Sequence, residues 1–199
     1  MPRTYRLGAR AAQKDATRDR ILDAAIELYA EFGISRTTMS MITARADVAP
    51  GTLRNHFSSR EALDAAMVAR LTAEAPLPEL SIFEGATGIE ERLRCLTVVT
   101  GAFFEQTARL QRMWLREPML SPIWAERGAA YGGRWAQLVS IALGPLAEDP
   151  DAMTVIRAVL QPAFFESLRT GERTNEEVAA LATALVTPWF VARLGTKGG

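Results

Sequence analysis

The chain has little of what metal sites, disulfides and secretion require. It holds one cysteine, Cys95, and one histidine, His56, among 199 residues. A lone cysteine excludes an internal disulfide and, with a lone histidine, zinc sites of the finger type. The N-terminus lacks the apolar segment of a secretory signal. These absences predict a cytoplasmic protein that uses no metal and no cofactor.

The sequence also lacks a long apolar run. The longest apolar stretch near its end, LATALVTPWFVARL, is interrupted by two threonines and a proline. It is shorter than the roughly 20 apolar residues of a membrane-spanning helix, so we expect no membrane span. Alternating strand patterns are absent, whereas apolar residues recur at helical spacing almost everywhere. The predicted fold class is all-α.

Charge is balanced overall but unevenly distributed. The chain carries 23 basic and 23 acidic residues, so as a whole it is not a polybasic nucleic-acid binder. Residues 1–20 nevertheless hold six basic and two acidic groups, whereas residues 76–199 hold 12 basic and 14 acidic groups. A basic N-terminal end predicts contact with a polyanion there, with a solvated tail as the alternative for the first ten residues.

Residues 38–57 predict two short helices joined by a three-residue break. Thr38 is a suitable N-cap for the first helix. Pro50 opens the second, because proline is tolerated in a first helical turn. Helices this short are marginal alone, so they must pack on the longer amphipathic segments that flank them. This is the helix-turn-helix arrangement, in which the second helix presents its N-terminal residues to the DNA major groove.

Polar side chains on and around this second helix suit double-stranded DNA. Arginine pairs with guanine and asparagine with adenine, while threonine reaches phosphate or a thymine methyl. Arg60 starts the next helix, where the helix dipole disfavours a cation, so an external phosphate would explain it. We therefore expect DNA contacts from Thr38, Ser40, Pro50, Gly51, Thr52, Arg54, Asn55, His56 and Arg60.

Residues 17–67 resemble the N-terminal domain of TetR-family transcriptional regulators. The resemblance lies in the order and spacing of ILDAAIELYAEFG, TTMSMITARADV, GTLRNHF and SSREAL. It implies a three-helix DNA-binding head on a helical body that dimerises and binds a ligand. It also implies that His56 contacts phosphate; the alternative is a helix-terminal histidine that bonds the last carbonyls.

Three positions depart from the family pattern. Arg54 stands where the family usually has a tyrosine that touches the DNA backbone. We expect Arg54 to contact either a base or a phosphate. The break carries Asp47 and Ala49 in place of the usual glycine and serine cap, so Asp47 must adopt the left-handed conformation and Ala49 offers no cap.

The expected domains are a basic arm over 1–16, a helix-turn-helix domain over 17–74, a linker over 75–87 and a body over 88–199. The linker follows from Pro76 and Pro78. In the body, helices are expected at roughly 88–110, 121–145, 151–171 and 174–194, and Pro162 and Pro188 should each kink or shorten a helix.

The body is rich in large apolar side chains. Most must be core, but the family resemblance implies a cavity for a small hydrophobic effector between the helices. Candidate lining residues are Phe103, Phe104, Met113, Trp114, Trp124, Tyr131, Trp135, Phe164 and Phe165, with polar contacts from Glu105, Gln106, Arg109, Arg116 and Glu166.

Wide apolar stripes on the last two predicted helices suggest a dimer interface. Their residues are Ile156, Val159, Leu160, Phe164, Val178, Leu181, Ala182, Leu185, Val186 and Trp189. The alternative is that these stripes only cover the body's own core. A short recognition helix reads few base pairs, so a homodimer on a palindromic operator is the expected solution.

The sequence thus predicts a DNA-binding transcriptional regulator. More specifically, it predicts a ligand-responsive repressor. A ligand-independent regulator or an activator of the same fold stays open. An enzyme is not expected, because no nucleotide-binding glycine loop, metal cluster or catalytic pair occurs. An interaction protein whose head binds protein is disfavoured by the Thr52, Arg54 and Asn55 cluster and the basic arm.

Overall fold

The structure, a computed structural model, describes residues 3–108, 111 and 122–197, without the side chains of residues 3–11 and 197. All regular elements in this part of the chain are helices. The α-helices are α1 (Arg3–Phe32), α2 (Met39–Ala46), α3 (Pro50–His56), α4 (Arg60–Glu74), α5 (Ile89–Gln106), α6 (Pro122–Leu143), α7 (Pro150–Val159), α8 (Pro162–Leu168) and α9 (Asn175–Lys197). Short 3-10 helices cover Leu80–Phe83 and Gly144–Glu148. The all-α prediction is confirmed.

The chain forms two compact units. The first, here called the head, comprises the described residues of Met1–Glu74 and Ala108–Gly128. The second, the body, comprises those of Ala75–Thr107 and Ala129–Gly199.

Helix α1 is longer at its start than the sequence predicts. It begins at Arg3, so the segment expected as an arm before residue 17 is helical. Thr17 lies inside the helix, where its hydroxyl donates to the Gln13 carbonyl at 2.9 Å. No proline or glycine pair interrupts residues 9–32, so nothing local stops the helix there. At the other end Gly33, with φ 88°, ends the helix, as glycine in the left-handed conformation commonly does.

The head is built around one apolar core. The inward residues of α1 pack against Ile42 of α2, Leu53 of α3 and both Leu63 and Met67 of α4. Each of these four side chains is at most 2% exposed. The two short helices, which are too short to persist alone, are therefore held by apolar contact with their longer neighbours.

Helices α5 and α9 pack side by side in the body. The hydroxyls of Thr97 and Thr183 meet at 2.6 Å across this contact. At the far end of α9, Arg193 pairs with Asp149, which is 1% exposed and accepts the Asp151 and Ala152 backbone N–H groups that open α7. A buried carboxylate thus receives both a cation and a helix N-terminus, which together offset its desolvation.

The two prolines of the body act differently. Pro162 shortens its helix: α7 ends at Val159, and α8 starts at Pro162 in its first helical position. Pro188 lies inside α9, which continues through it. The helix expected over 151–171 is therefore two helices.

Helix α9 corrects the expectation about apolar length. Asn175–Thr196 is long and apolar enough to cross a membrane by length and composition alone, and 28% of its most apolar window is buried. Pro188 and the threonines fail to interrupt the helix, so its apolar length exceeds that of the quoted stretch. The core helix of a soluble protein passes the same length test.

Candidate nucleic-acid interface

The break between α2 and α3 has the geometry that its residues predict. Asp47 is left-handed, with φ 51° and ψ 56°, and no other non-glycine residue in the described chain has positive φ. Its backbone N–H closes α2 on the Ala44 carbonyl, and the Val48 N–H bonds the Thr43 carbonyl. Ala49 is the N-cap of α3 and makes no side-chain cap bond. The helix therefore begins on Pro50 without the usual serine cap.

Helix α3 is anchored by two apolar side chains and leaves its polar ones outside. Leu53 is 2% exposed and Phe57, just after the helix, 3% exposed. Arg54 and Asn55 are exposed, and Thr52 is half-buried. Within the part of the chain that the structure describes, neither the Arg54 nor the Asn55 side chain makes a hydrogen bond or ion pair. Their hydrogen-bonding groups are thus available to an external partner.

Pro50 and Gly51 make the start of α3 a bare, exposed backbone. A Cβ added at Gly51 would meet nothing within 4 Å, and its backbone is not in the left-handed region. Nothing inside the described chain requires glycine there, although glycine costs about 0.5–1 kcal/mol relative to alanine inside a helix. The close approach of an external surface gives a reason for it.

Helix α2 is fixed on α1 so that its N-terminus stays open. Thr38 caps it as expected, accepting the Met41 N–H at 3.2 Å. Arg45 pairs with Glu31 at 3.0 Å and with Glu27 at 3.3 Å, both on α1. Ser40 is exposed in the first turn of α2, as a phosphate contact requires.

His56 is half-buried at the end of α3, and its ring lies beside that of Phe57, with centroids 6.4 Å apart. In the described chain its ring bonds no helix-terminal carbonyl. The structure thus gives no support to the capping alternative.

Arg60 is turned inward, which corrects its expected role. Its Nη1 and Nη2 donate to the carbonyls of Thr37 and Ile34, each at 2.7 Å. Its guanidinium also lies 4.8 Å from the ring centroid of Tyr29. A cation in the first turn of α4 is therefore explained by the carbonyls of the α1–α2 turn, with no need for a phosphate.

Arg60 belongs to a buried polar cluster beneath this turn. Tyr29 donates to Asp64 Oδ1 at 2.6 Å, and Arg60 Nε lies 3.6 Å from the same oxygen. Burial raises the pKa of the Asp64 carboxyl, against the opposing effects of Tyr29 and Arg60. Burial also raises the pKa of Tyr29, and the bond to Asp64 adds to this. Tyr29 therefore stays a neutral donor.

Trp124 is expected to line a ligand cavity, but it is buried in the core of the head. It is 2% exposed. Among the described residues its indole Nε1 has no hydrogen-bond partner of normal geometry, although the indole lies near enough to Asp64 to lower that carboxyl's pKa. Its residue type indicates burial, but nothing local in the sequence indicates which core receives it.

One basic side chain near α3 is missed by sequence reasoning. The Arg18 guanidinium lies 5.2 Å from the ring centroid of Phe57, so α1 places a cation beside the end of α3. The basic composition of residues 1–20 is the signal that points to it, but not to its partner.

The body contains a cavity of about 320 Å³. Of the predicted aromatic residues, Phe104 and Trp135 line it. Phe103 and Tyr131 are not among its lining residues and pack against each other, with ring centroids 5.3 Å apart. Phe165 is buried in a small core with Val178 and Ala182. Phe164 packs between the two cores of the body. Met113, Trp114, Arg109 and Arg116 lie outside the described residues.

The polar residues expected in the cavity are not those that line it. Glu105 accepts a bond from Asn175 and lies 4.0 Å from Arg169. Neither Gln106 nor Glu166 is among the lining residues, whose polar members are Thr100, Arg157 and Gln161. The helical spacing of Met153, Arg157 and Gln161 could have found them, since steps of four share one face.

Comparisons with known proteins agree with this geometry. The family described as bacterial regulatory proteins, tetR family, matches residues 21–67. The chain is 31% identical over 106 residues to the HTH-type transcriptional regulator UidR of Escherichia coli (strain K12), which covers 53% of this chain and 54% of that protein. It is 38% identical over 61 residues to the HTH-type transcriptional regulator SrpR of Pseudomonas putida, covering 30% of this chain and 29% of that one. The chain thus spans about half the length of UidR.

Solved structures share the fold over more of the chain. A TetR-like transcriptional regulator from Rhodococcus sp. RHA1 superposes with a TM-score of 0.63 at 20% identity, covering 88% of this chain and 96% of that one. The ketosteroid transcriptional regulator KstR2 of Mycobacterium tuberculosis gives 0.59 at 21% identity, covering 85% and 92%. Residues 21–67 thus match the tetR family of bacterial regulatory proteins, and the described chain shares the all-helical fold of these solved regulators.

Proposed function

We propose that the protein is a ligand-responsive transcriptional repressor that binds a palindromic DNA operator as a homodimer in the cytoplasm. The observation that carries the DNA-binding part is the arrangement of α3. Leu53 and Phe57 anchor the helix in the core of the head. Arg54 and Asn55 are exposed, and their hydrogen-bonding groups are available to DNA. Arginine and asparagine are side chains that read guanine and adenine in the major groove.

The remaining contacts belong to the DNA backbone. The open N-terminus of α2, with Thr38 and Ser40, suits a phosphate, because unpaired helix N–H groups and the helix dipole favour anions. Pro50, Gly51 and Thr52 bring the start of α3 against the groove wall, and His56 sits at its end. Arg60 is omitted from this set, since its donors are used inside the head.

Dimerisation is proposed through the exposed apolar side chains of α9. Val178, Ala182 and Val186 of this helix are buried in the body. Beside this buried stripe, Leu185 is 56% exposed and Trp189 is 38% exposed. Apolar surface of this kind on a soluble protein marks an association site. Two heads joined by such an interface would reach two half-sites about one helical turn apart, which one short helix cannot.

Ligand response is proposed through the cavity of the body, which has the volume of a small-molecule site. An effector that binds the DNA-competent and the DNA-free conformations unequally would shift the protein between them. A neighbour in fold is a ketosteroid regulator by its name, which is consistent with apolar effectors in this architecture.

A gel shift tests the function. The full chain should retard the double-stranded DNA upstream of its own gene and not a fragment of equal length with a scrambled sequence. A reporter placed behind that DNA should be silenced by the protein, and activation instead would favour the activator alternative. Absence of any sequence-selective shift at low salt would refute the DNA-binding role.

A further inference from the structure

We propose that the cavity of the body accepts an apolar ring compound that carries one anionic group, with the anion held by Arg157. This inference rests on the proposed effector role of the cavity and names the chemistry of the effector. It concerns the body alone, since every residue that lines the cavity lies in that unit.

The walls of the cavity are apolar and partly aromatic. Phe104, Trp135, Met153 and Leu160 line it, and the indole N–H of Trp135 is the one strong hydrogen-bonding group among these four side chains. A cavity of about 320 Å³ lies at the small end of the range for drug-sized ligands. Phe104 and Trp135 offer ring faces and edges to an aromatic ligand, so a compound of one or two rings fits.

Most polar groups of the cavity make hydrogen bonds within the described part of the chain, whereas its one charged group does not. The Thr100 hydroxyl donates to the Leu96 carbonyl at 2.6 Å. The Gln161 amide nitrogen donates to the Arg157 carbonyl at 2.9 Å, which leaves its amide oxygen as an acceptor. The Arg157 guanidinium has no hydrogen bond or ion pair with any residue that the structure describes. It is the one charged donor that the described lining residues offer to a ligand.

The charge around Arg157 selects the sign of the ligand. Among the described residues that line the cavity, Arg157 is the only charged one. An arginine fork matches a carboxylate in two parallel hydrogen bonds. By contrast, the groove between α5 and α9 is lined by Glu90, Glu91 and Glu176 beside Arg94, so that surface disfavours anions. The cavity beside Arg157 therefore favours an anionic ligand over a cationic one.

Isothermal titration calorimetry on the full chain with three matched probes tests the proposal. The probes are naphthylacetate, its neutral amide naphthylacetamide and the cation naphthylethylamine. We expect naphthylacetate to bind about fivefold more tightly than the amide, a modest factor because Arg157 is exposed, and the amine to bind most weakly. Equal affinity for all three, or binding of none, would overturn the proposal.

Variants locate the effect. Arg157→Gln should lower naphthylacetate affinity to that of the amide and leave amide binding unchanged, while Arg157→Lys should keep part of the preference. Ala136→Trp, which fills the cavity from its wall, should weaken all three probes. Arg94→Gln removes the same charge from the glutamate-lined groove of the body and should change nothing. Unaltered preference in Arg157→Gln would overturn the assignment, provided that its circular dichroism matches the parent.

Release of DNA separates this inference from the proposed function. If naphthylacetate binds with the expected preference but DNA stays bound at saturation, the anion site stands and the effector role of the cavity is wrong for this class. If the amide and naphthylacetate bind equally and release DNA equally, the effector role stands and the anion site is wrong.

Discussion

Tyr29 donates its hydroxyl hydrogen to the Asp64 carboxylate at 2.6 Å, and the two buried side chains lie 35 residues apart in sequence. This bond joins α1 to α4 directly beneath the turn that leads into α2. Arg60 completes the arrangement, because it stacks on Tyr29 and donates to two carbonyls of that turn. The polar cluster of Tyr29, Arg60 and Asp64 thus supports the turn that leads into α2 and α3.

Replacing Tyr29 with phenylalanine should destabilise the head. The Asp64 carboxylate would lose a donor while staying buried, which costs about 1–3 kcal/mol of unfolding free energy. Urea unfolding followed by circular dichroism measures it. In a double-mutant cycle with Asp64→Ala, the two changes should be strongly non-additive, since both remove the same contact. Simple additivity would show that the hydroxyl and the carboxylate do not interact.

Arg60→Gln and Arg54→Gln should separate stability from DNA binding. Arg60→Gln removes bonds to two carbonyls and should lower the unfolding free energy by about 1–3 kcal/mol. At a temperature where it is fully folded, it should bind DNA as the parent does. Arg54→Gln should leave stability unchanged and weaken DNA binding. If a folded Arg60→Gln protein lost affinity for DNA, Arg60 would contact a phosphate directly, contrary to its inward hydrogen bonds.

Gly51→Ala should stabilise the protein and weaken its DNA binding. The added Cβ meets open space in the free protein, and alanine is favoured over glycine in a helix by about 0.5–1 kcal/mol. Against a DNA surface the same Cβ would be in the way. Gly133→Ala in α6 is the matched control, because it also meets open space but lies in the body. Equal DNA affinity for Gly51→Ala and the parent would place the start of α3 away from the groove.

The pKa of Glu177 should be low and should depend on Thr174. The Thr174 backbone N–H and hydroxyl both donate to its carboxylate at the start of α9, which lowers the pKa of Glu177. A lowered folded pKa means that this group stabilises the fold above its unfolded pKa, and the contribution is lost as pH falls through the folded value. Thr174→Val should raise the pKa of Glu177 in an NMR titration. The Glu91 pKa, lowered by Thr87, should not move.

Leu185→Glu should convert a dimer into a monomer. The side chain is 56% exposed on α9, so the change costs little in the isolated chain. At the interface it would place a charge where apolar surfaces meet. Sedimentation velocity at micromolar protein should show the shift. Ile141→Glu, an exposed apolar position on α6, is the control and should stay dimeric. A dimer that tolerates Leu185→Glu would put the interface elsewhere.

Local signals explain what could be predicted from the sequence. Thr38 caps α2, Asp47 turns left-handed and Pro50 opens α3 because each effect depends on residues within one helical turn. Hence the bounds of the two short helices follow from the sequence alone. The long-range partners do not: Arg60 meets carbonyls 23 and 26 residues away, and Trp124 joins the core of the head from far along the chain.

The cavity shows the same limit. Aromatic content selects Phe104 and Trp135 correctly, but equally selects Phe165, which fills a core. Only the packing of the helices decides which rings face a void. Helical spacing places Arg157 on one face with Met153, but nothing local shows that this face borders a cavity. The sequence predicts that Pro162 and Pro188 each kink or shorten a helix. The structure starts a helix at Pro162 but continues one through Pro188, because the packing of neighbouring elements decides the outcome.

The most direct test of the account is the affinity of the full chain for the DNA upstream of its own gene, measured by fluorescence anisotropy across a salt series for the parent, Arg54→Ala and Arg94→Gln. If Arg54 contacts a base, its loss should cost about 1–3 kcal/mol and relax sequence preference with an unchanged salt slope. If it contacts phosphate, the slope should fall by about one for each contact. Arg94→Gln should match the parent. An affinity for Arg54→Ala equal to that of the parent at every salt concentration would contradict the claim that α3 reads the DNA.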